Sequence, residues 1–293
     1  MRRLILLLCS LLICLPLQAA EVIFSAASDS DSLRAFMQAL ARQRPQDRFE
    51  FRTPTQLQQN APSSDARLVV LDLETLDWRL RQHAMPATLV IRISRFEGTQ
   101  LLAGRPHPGV TLLWSDPPPH RQVQLARLLL PNSKRLGLLY DQESAFLLDD
   151  YRQAADALGL ELQTRKWNPQ GSRRPLLALL ASSDLLLGID APRLYNADTI
   201  KSLLLTSYAR NRALLGPTAG FVRAGSLAST FSDQQDWLDE LNDWLDRPAS
   251  QWPPSAYPSH FKVVSNRQVA RALGLAIDDD DALTRQLAAG ETR

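Results

Sequence analysis

Short apolar runs alternate along this chain with stretches whose apolar residues recur every three or four positions. Val22-Ile23-Phe24 is the first such run, and behind it Leu33, Phe36, Met37, Leu40 and Ala41 fall on one helical stripe opened by Ser30 or Ser32. The rhythm continues with strands expected at Phe49–Arg52, Leu68–Leu73, Thr88–Ile93 and Val110–Trp114. Helical segments fall between them near Thr55–Gln59 and Glu74–Gln82. Strand and helix in strict alternation predict a parallel sheet with right-handed crossovers.

Asp116-Pro117-Pro118-Pro119 breaks the rhythm. Consecutive prolines fix φ and cannot donate to a ladder, so the stretch reads as an extended crossing that feeds a helix from His120 to Leu130. A second series follows, with strands at Leu136–Tyr140, Leu160–Thr164, Leu185–Ile189 and Ala213–Leu215. Its helices are centred on Leu147–Leu158, Leu176–Leu180 and Ile200–Tyr208, the first stopped by Gly159. Ser226–Thr230 leads to Ser232 and Gln235, which read as an S-x-x-Q capping box. The helix it opens carries Trp237, Leu238, Leu241, Trp244 and Leu245, a core stripe. Trp252–Pro258 is a second proline-rich crossing, before a last strand at Phe261–Val264 and a short helix at Arg267–Leu273. The expected fold is α/β, two Rossmann-like lobes with parallel sheets joined by a hinge. Residues 21–116 form lobe 1, completed by about 231–250, and 117–230 form lobe 2, completed by about 259–285.

Residues 1–20 read differently, as an export signal: Arg2-Arg3, an apolar run Leu4–Leu17, then Gln18-Ala19-Ala20. The run is shorter than the ~20 residues a spanning helix needs, and no later window approaches that length. Both cysteines, Cys9 and Cys14, lie inside it, preceded by Leu8 and Ile13 where a lipobox wants a small residue. Cleavage after Ala20 leaves 273 residues with no thiol, and hence no disulfide or thiolate chemistry. The loss of Arg2 and Arg3 turns 33 basic against 31 acidic residues into an even balance, which argues against nucleic acid as a partner. A hydrophobic content of 45% is enough for two cores. The expected location is the periplasm.

The sequence offers little catalytic machinery. His83, His107, His120 and His260 are scattered, there is no G-x-S-x-G elbow or phosphate loop, and Asp278–Asp281 lacks the glycine of a calcium loop. No catalytic residue, cofactor or metal is assigned. In a doubly wound sheet a solute binds at the carboxyl ends of the strands, which selects loop residues. Ser28 follows the first strand, where hydroxyls and a helix N-terminus suit a carboxylate, or simply cap the helix. Asp72 and Ser94 end later strands and serve equally as caps. Tyr140, Asp190 and Thr218 end strands of the second series, with Tyr195 just beyond. Asp190 suits an ammonium group, or caps the turn at Pro192, and Tyr195 offers stacking or a hydroxyl.

Three segments carry a family resemblance. YNADTIKSLLLTSY at 195–208, VRAGSLAS at 222–229 and FKVVSNRQVARALGL at 261–275 resemble the solute-binding proteins of uncharacterised ABC-type transport systems, with a weaker likeness over 122–140. The resemblance covers roughly residues 110–285 and implies the type I periplasmic-binding fold. It also implies a small organic solute, amino acids among the candidates, and an ABC permease in the inner membrane as partner to a monomeric receptor. RISRFEG at 92–98 and RPHPG at 105–109 stand where the family often has D-P-V and P-G-G-N motifs, so the ligand-facing loops of lobe 1 differ from the usual ones. Asp278 stands where the family has a proline. The alternative is an accessory or sensory envelope protein that keeps the fold and acts through protein–protein contact. A hydrolase ranks third.

Overall fold

The computed structural model describes residues 20–291, so the export signal read at 1–20 lies outside them except for Ala20. By internal contact the chain divides into two compact units between Leu89 and Val90. The smaller holds β1 (Glu21–Ser25), α1 (Asp31–Gln43), β2 (Arg48–Phe51), α2 (Pro54–Gln59), β3 (Arg67–Val70) and α3 (Leu73–Leu80). β4 (Ala87–Ile93) runs across the division. The larger unit continues with α4 (Arg95–Leu102), β5 (Val110–Trp114), α5 (Pro119–Leu129), β6 (Arg135–Tyr140) and α6 (Leu148–Ala157). Then come β7 (Glu161–Lys166), α7 (Arg174–Ser182), β8 (Leu185–Leu187), α8 (Ala197–Tyr208), β9 (Ala213–Leu215) and α9 (Ala219–Ala224). β10 (Ala228–Phe231), α10 (Gln234–Asp246), β11 (Ser255–Ala256), β12 (Lys262–Ser265), α11 (Arg267–Ala272) and α12 (Asp280–Glu291) finish it.

The strands form two six-stranded sheets with one plan. The first has the order β11-β5-β4-β3-β1-β2 and the second β12-β10-β9-β8-β6-β7. Read from the far edge, β2-β1-β3-β4-β5 and β7-β6-β8-β9-β10 are the same doubly wound series, and each sheet takes its sixth strand from the last forty residues of the chain. β1 pairs parallel with β2 and β3, β5 with β11, β6 with β7 and β8, and β9 with β8 and β10, while β12 lies antiparallel to β10. Strands covered on both faces read as unbroken apolar runs, and Leu185–Leu187 and Val22–Phe24 are at most 1% exposed. The second sheet packs under α5, α6, α7 and α8 around Leu136, Leu138, Leu179 and Leu203.

Two readings are corrected. The helix before the second crossing is capped by Asp233, not Ser232; Asp233 and Asp236 form the box, and the Ser232 hydroxyl donates to the His260 carbonyl at 2.7 Å. The 92–98 segment is no loop beyond Ser94, because α4 begins at Arg95.

The C-terminal helix is held down by one buried cation. Arg121 on α5 donates to both carboxylate oxygens of Glu291, at 2.5 and 2.8 Å, and to the Pro258 carbonyl at 2.9 Å. Its guanidinium lies 3.6 Å from the centre of the Phe261 ring. Arg121, with His120, holds the Glu291 carboxyl down to about 2, against the pull of burial.

Gly137 sits where α7 crosses β6: a Cβ there would lie 2.6 Å from Ser183 Oγ and 2.7 Å from Leu186 Cδ2. We expect G137A to destabilise the protein by about 1–3 kcal/mol, read as a lower urea midpoint at unchanged m-value.

Candidate functional site

In the smaller unit the loops after β1 and β3 flank the point where the strand order reverses. The Asp72 carboxylate ties them together. One oxygen caps α3 by accepting from the Thr75 N–H, and the other accepts from the Ala27 N–H, each at 2.8 Å. Ser28 is exposed beside this bond and Ser30 caps α1, so the plainer reading of that loop as a helix start is realised two residues on. Beneath them Ser25 and Thr75 are fully buried, and neither hydroxyl has a hydrogen-bond partner.

In the larger unit a polar cluster gathers residues from both sheets. Ser94 ends β4 and caps α4 in a reciprocal box with Glu97, the S-x-x-E signature. The next N–H, that of Arg95, donates to Asp116 at the end of β5, 2.5 Å away. The Arg95 guanidinium reaches the Asp150 carboxylate on α6 and the Tyr257 hydroxyl at 3.4 Å, and lies 5.8 Å from the Phe146 ring centre. Asp190, in the loop after β8, takes a hydrogen bond from Ser94. Asp116 and Asp190 face a common cavity of about 10 Å³, roughly one water molecule, with Gln122, Leu147, Tyr151, Gly188 and three prolines as the rest of its wall. Gly188 admits no side chain, since a Cβ would meet Pro217 Cδ at 2.7 Å and the Leu215 carbonyl at 2.8 Å.

The structure thus brings Ser94 and Asp190 together, and adds Arg95, Asp116, Gln122, Asp150, Tyr151 and Tyr257, which the sequence reading had not singled out. Tyr195 is placed elsewhere than expected. It is buried in the core of the second sheet, edge-on to Phe221, and its hydroxyl donates to the Leu187 carbonyl at 3.3 Å, so neither ring face nor hydroxyl is open to a solute. Tyr140 is half-buried against the same core. Thr218 caps α9 by position, with an exposed side chain that makes no cap hydrogen bond. A wider hollow of about 600 Å³ lies at the ends of β6 and β7, lined by Asp141, Glu143, Lys166, Trp167 and Arg193, and there Arg193 and Glu143 pair at 2.7 Å.

Electrostatically the cluster is starved of positive charge. Burial pushes the Asp116 carboxyl up to about 7, with the nearby Asp190 adding to the rise and the Arg95 N–H opposing it. Burial also raises Asp190, against the Ser94 hydrogen bond and with Glu97 contributing. Tyr151 and Tyr257 are held protonated by burial, reinforced by the surrounding carboxylates.

A carboxyl that rises on folding keeps a proton the unfolded chain releases near 3.8, so its contribution favours the folded state at low pH and is lost as pH climbs to about 7. Asp116 faces Arg95, Asp190, Tyr151 and Tyr257 there. We expect D116N to be more stable than the parent at pH 8 by about 2 kcal/mol, several degrees in Tm. The gap should shrink steadily towards pH 4 in a thermal-melt series.

No family model matches the sequence, and the comparison with curated proteins gives no match. Solved structures do match. A ligand-free, open substrate-binding protein with adhesive properties from Clostridium difficile superposes with a TM-score of 0.68 at 12% identity, over 89% of this chain and 97% of the other. An ABC domain in complex with L-Trp from Streptococcus pneumonia gives 0.55 at 19% identity, over 89% and 96%. A conserved domain protein from Vibrio cholerae gives 0.54 at 18% identity, over 91% and 98%. At these identities the likeness is one of architecture, and with two parallel-dominated sheets of six strands each, alternating with helices, this chain has the type I periplasmic-binding fold.

Proposed function

We propose that this protein is an exported receptor that binds a small organic solute without transforming it and hands it to an ABC importer in the inner membrane. The observation that carries the reading is the convergence in the larger unit, where strand ends of both sheets bring Asp116 and Asp190 to one cavity, with Ser94 hydrogen-bonded to Asp190. In this fold class that is where ligands bind, and binding there works by differential affinity for open and closed states. The leader-like residues 1–20 and the thiol-free remainder support a periplasmic location. The division into residues 21–116 with 231–250, and 117–230 with 259–285, stands as the proposed lobe assignment, in a monomer. In the larger unit Ser94, Asp190 and the exposed Thr218 are proposed to meet the solute, with Tyr140 at the margin and Tyr195 in support; in the smaller unit Ser28 and Asp72 are proposed as ligand contacts at its own strand ends. The fold shared with an L-Trp complex favours an amino-acid-like solute.

Thermal-shift screening of amino acids and other small metabolites should find a ligand that raises Tm by about 5 °C at hundredfold excess over Kd. D190N should weaken that ligand about tenfold by titration calorimetry. A broad screen without any stabilising compound would withdraw the receptor reading.

A further inference from the structure

The walls of the Asp116–Asp190 cavity hold almost no hydrogen-bond donors. Pro117, Pro119 and Pro217 have no backbone N–H, and the N–H of Gly188 is taken by the Leu215 carbonyl at 2.8 Å. What remains are acceptors. Asp116 and Asp190 supply carboxylates, and Gln122, 1% exposed, has an Oε1 with no hydrogen-bond partner. The orientation of that amide follows from its other end, because Nε2 donates to the Gly216 carbonyl at 3.4 Å and a carbonyl can only accept. Tyr151 adds one hydroxyl.

Charge points the same way. Asp190 acts on Asp116 and Glu97 on Asp190, and the one cation acting on Asp116, Arg95, is already paired with Asp150. A carboxylate ligand would meet repulsion and a single hydroxyl donor. A water molecule has two hydrogens for at least three buried acceptors. A primary ammonium group has three N–H donors, one positive charge and the size of the 10 Å³ space. A quaternary ammonium group is too large for it and has no N–H to donate.

We propose that this cavity seats a primary ammonium group, donating to Asp116, Asp190 and Gln122, and that the solute is therefore an amine. This rests on the receptor reading above and names the class of molecule it takes.

The probe is methylammonium chloride, added to the purified protein at pH 8 and constant ionic strength, with tetramethylammonium and potassium chlorides as the other arms. We expect a saturable rise in Tm with methylammonium alone, with apparent affinity about tenfold lower in D116N and in D190N. Q122L removes the neutral acceptor together with the Nε2 bond to the Gly216 carbonyl but leaves both carboxylates, and should give a smaller loss, so the series remains readable if one carboxamide variant fails to fold. A rise of equal size with tetramethylammonium is a bulk salt effect and overturns the proposal. An equal rise with potassium assigns the cavity to an inorganic ion and overturns it as well. A panel of monoamines, diamines, polyols and dicarboxylates then separates the two claims. Stabilisation by polyols or dicarboxylates and never by amines leaves a receptor with the wrong solute class, whereas silence across every class removes the receptor reading itself.

Discussion

The hydrogen bond from the Arg95 main chain to the Asp116 carboxylate is the contact on which the candidate site depends. It fixes the start of α4 against the end of β5, and so sets where Ser94 and the Arg95 side chain lie relative to the proline-rich crossing. With that register set, Ser94 meets Asp190 and Arg95 meets Asp150 and Tyr257. The same bond satisfies only part of one carboxylate. The other buried acceptors are left facing each other across a space of one water, and the electrostatic imbalance of the cluster follows from there.

Burial alone makes this arrangement costly, since a desolvated carboxylate with another beside it favours a proton over the charge. Proteins keep such groups where a ligand relieves the penalty, and structural ion pairs relieve it internally instead. The larger unit contains both solutions. Arg121 with Glu291, and Lys262 with Asp233 and Asp236, are matched pairs, and the Glu291 and Asp233 carboxyls are lowered. Asp116 and Asp190 are raised and unmatched.

Much of the architecture was legible in the order of residues. Val110–Trp114 and Ala213–Leu215 were bounded correctly because each is an apolar run between turn-forming residues, and the helical stripes of α1, α6 and α8 were found through their spacing. α4 was missed because RFEGTQLL lacks a clean apolar face, although the Ser94 and Glu97 box was there to be read. β11 is two residues long beside a proline run, and only its partner β5 makes it a strand. Site residues were less legible. Asp190 and Ser94 were found as strand-end polar groups. Asp116 was absorbed into the crossing that it opens, and Arg95, Asp150 and Tyr257 come together from positions 55 and 162 residues apart, a pairing no local pattern encodes. Tyr195 misled because its place after a strand end says nothing of which way the ring turns.

The late arrival of β11 and β12 has a consequence for how the molecule is assembled. Each is the outermost member of a sheet whose other five strands come earlier, so neither half can close its edge until residues 255–265 have left the ribosome. This postpones the closure of both sheets to the last steps of folding, when the tail itself supplies the finishing strand of each half.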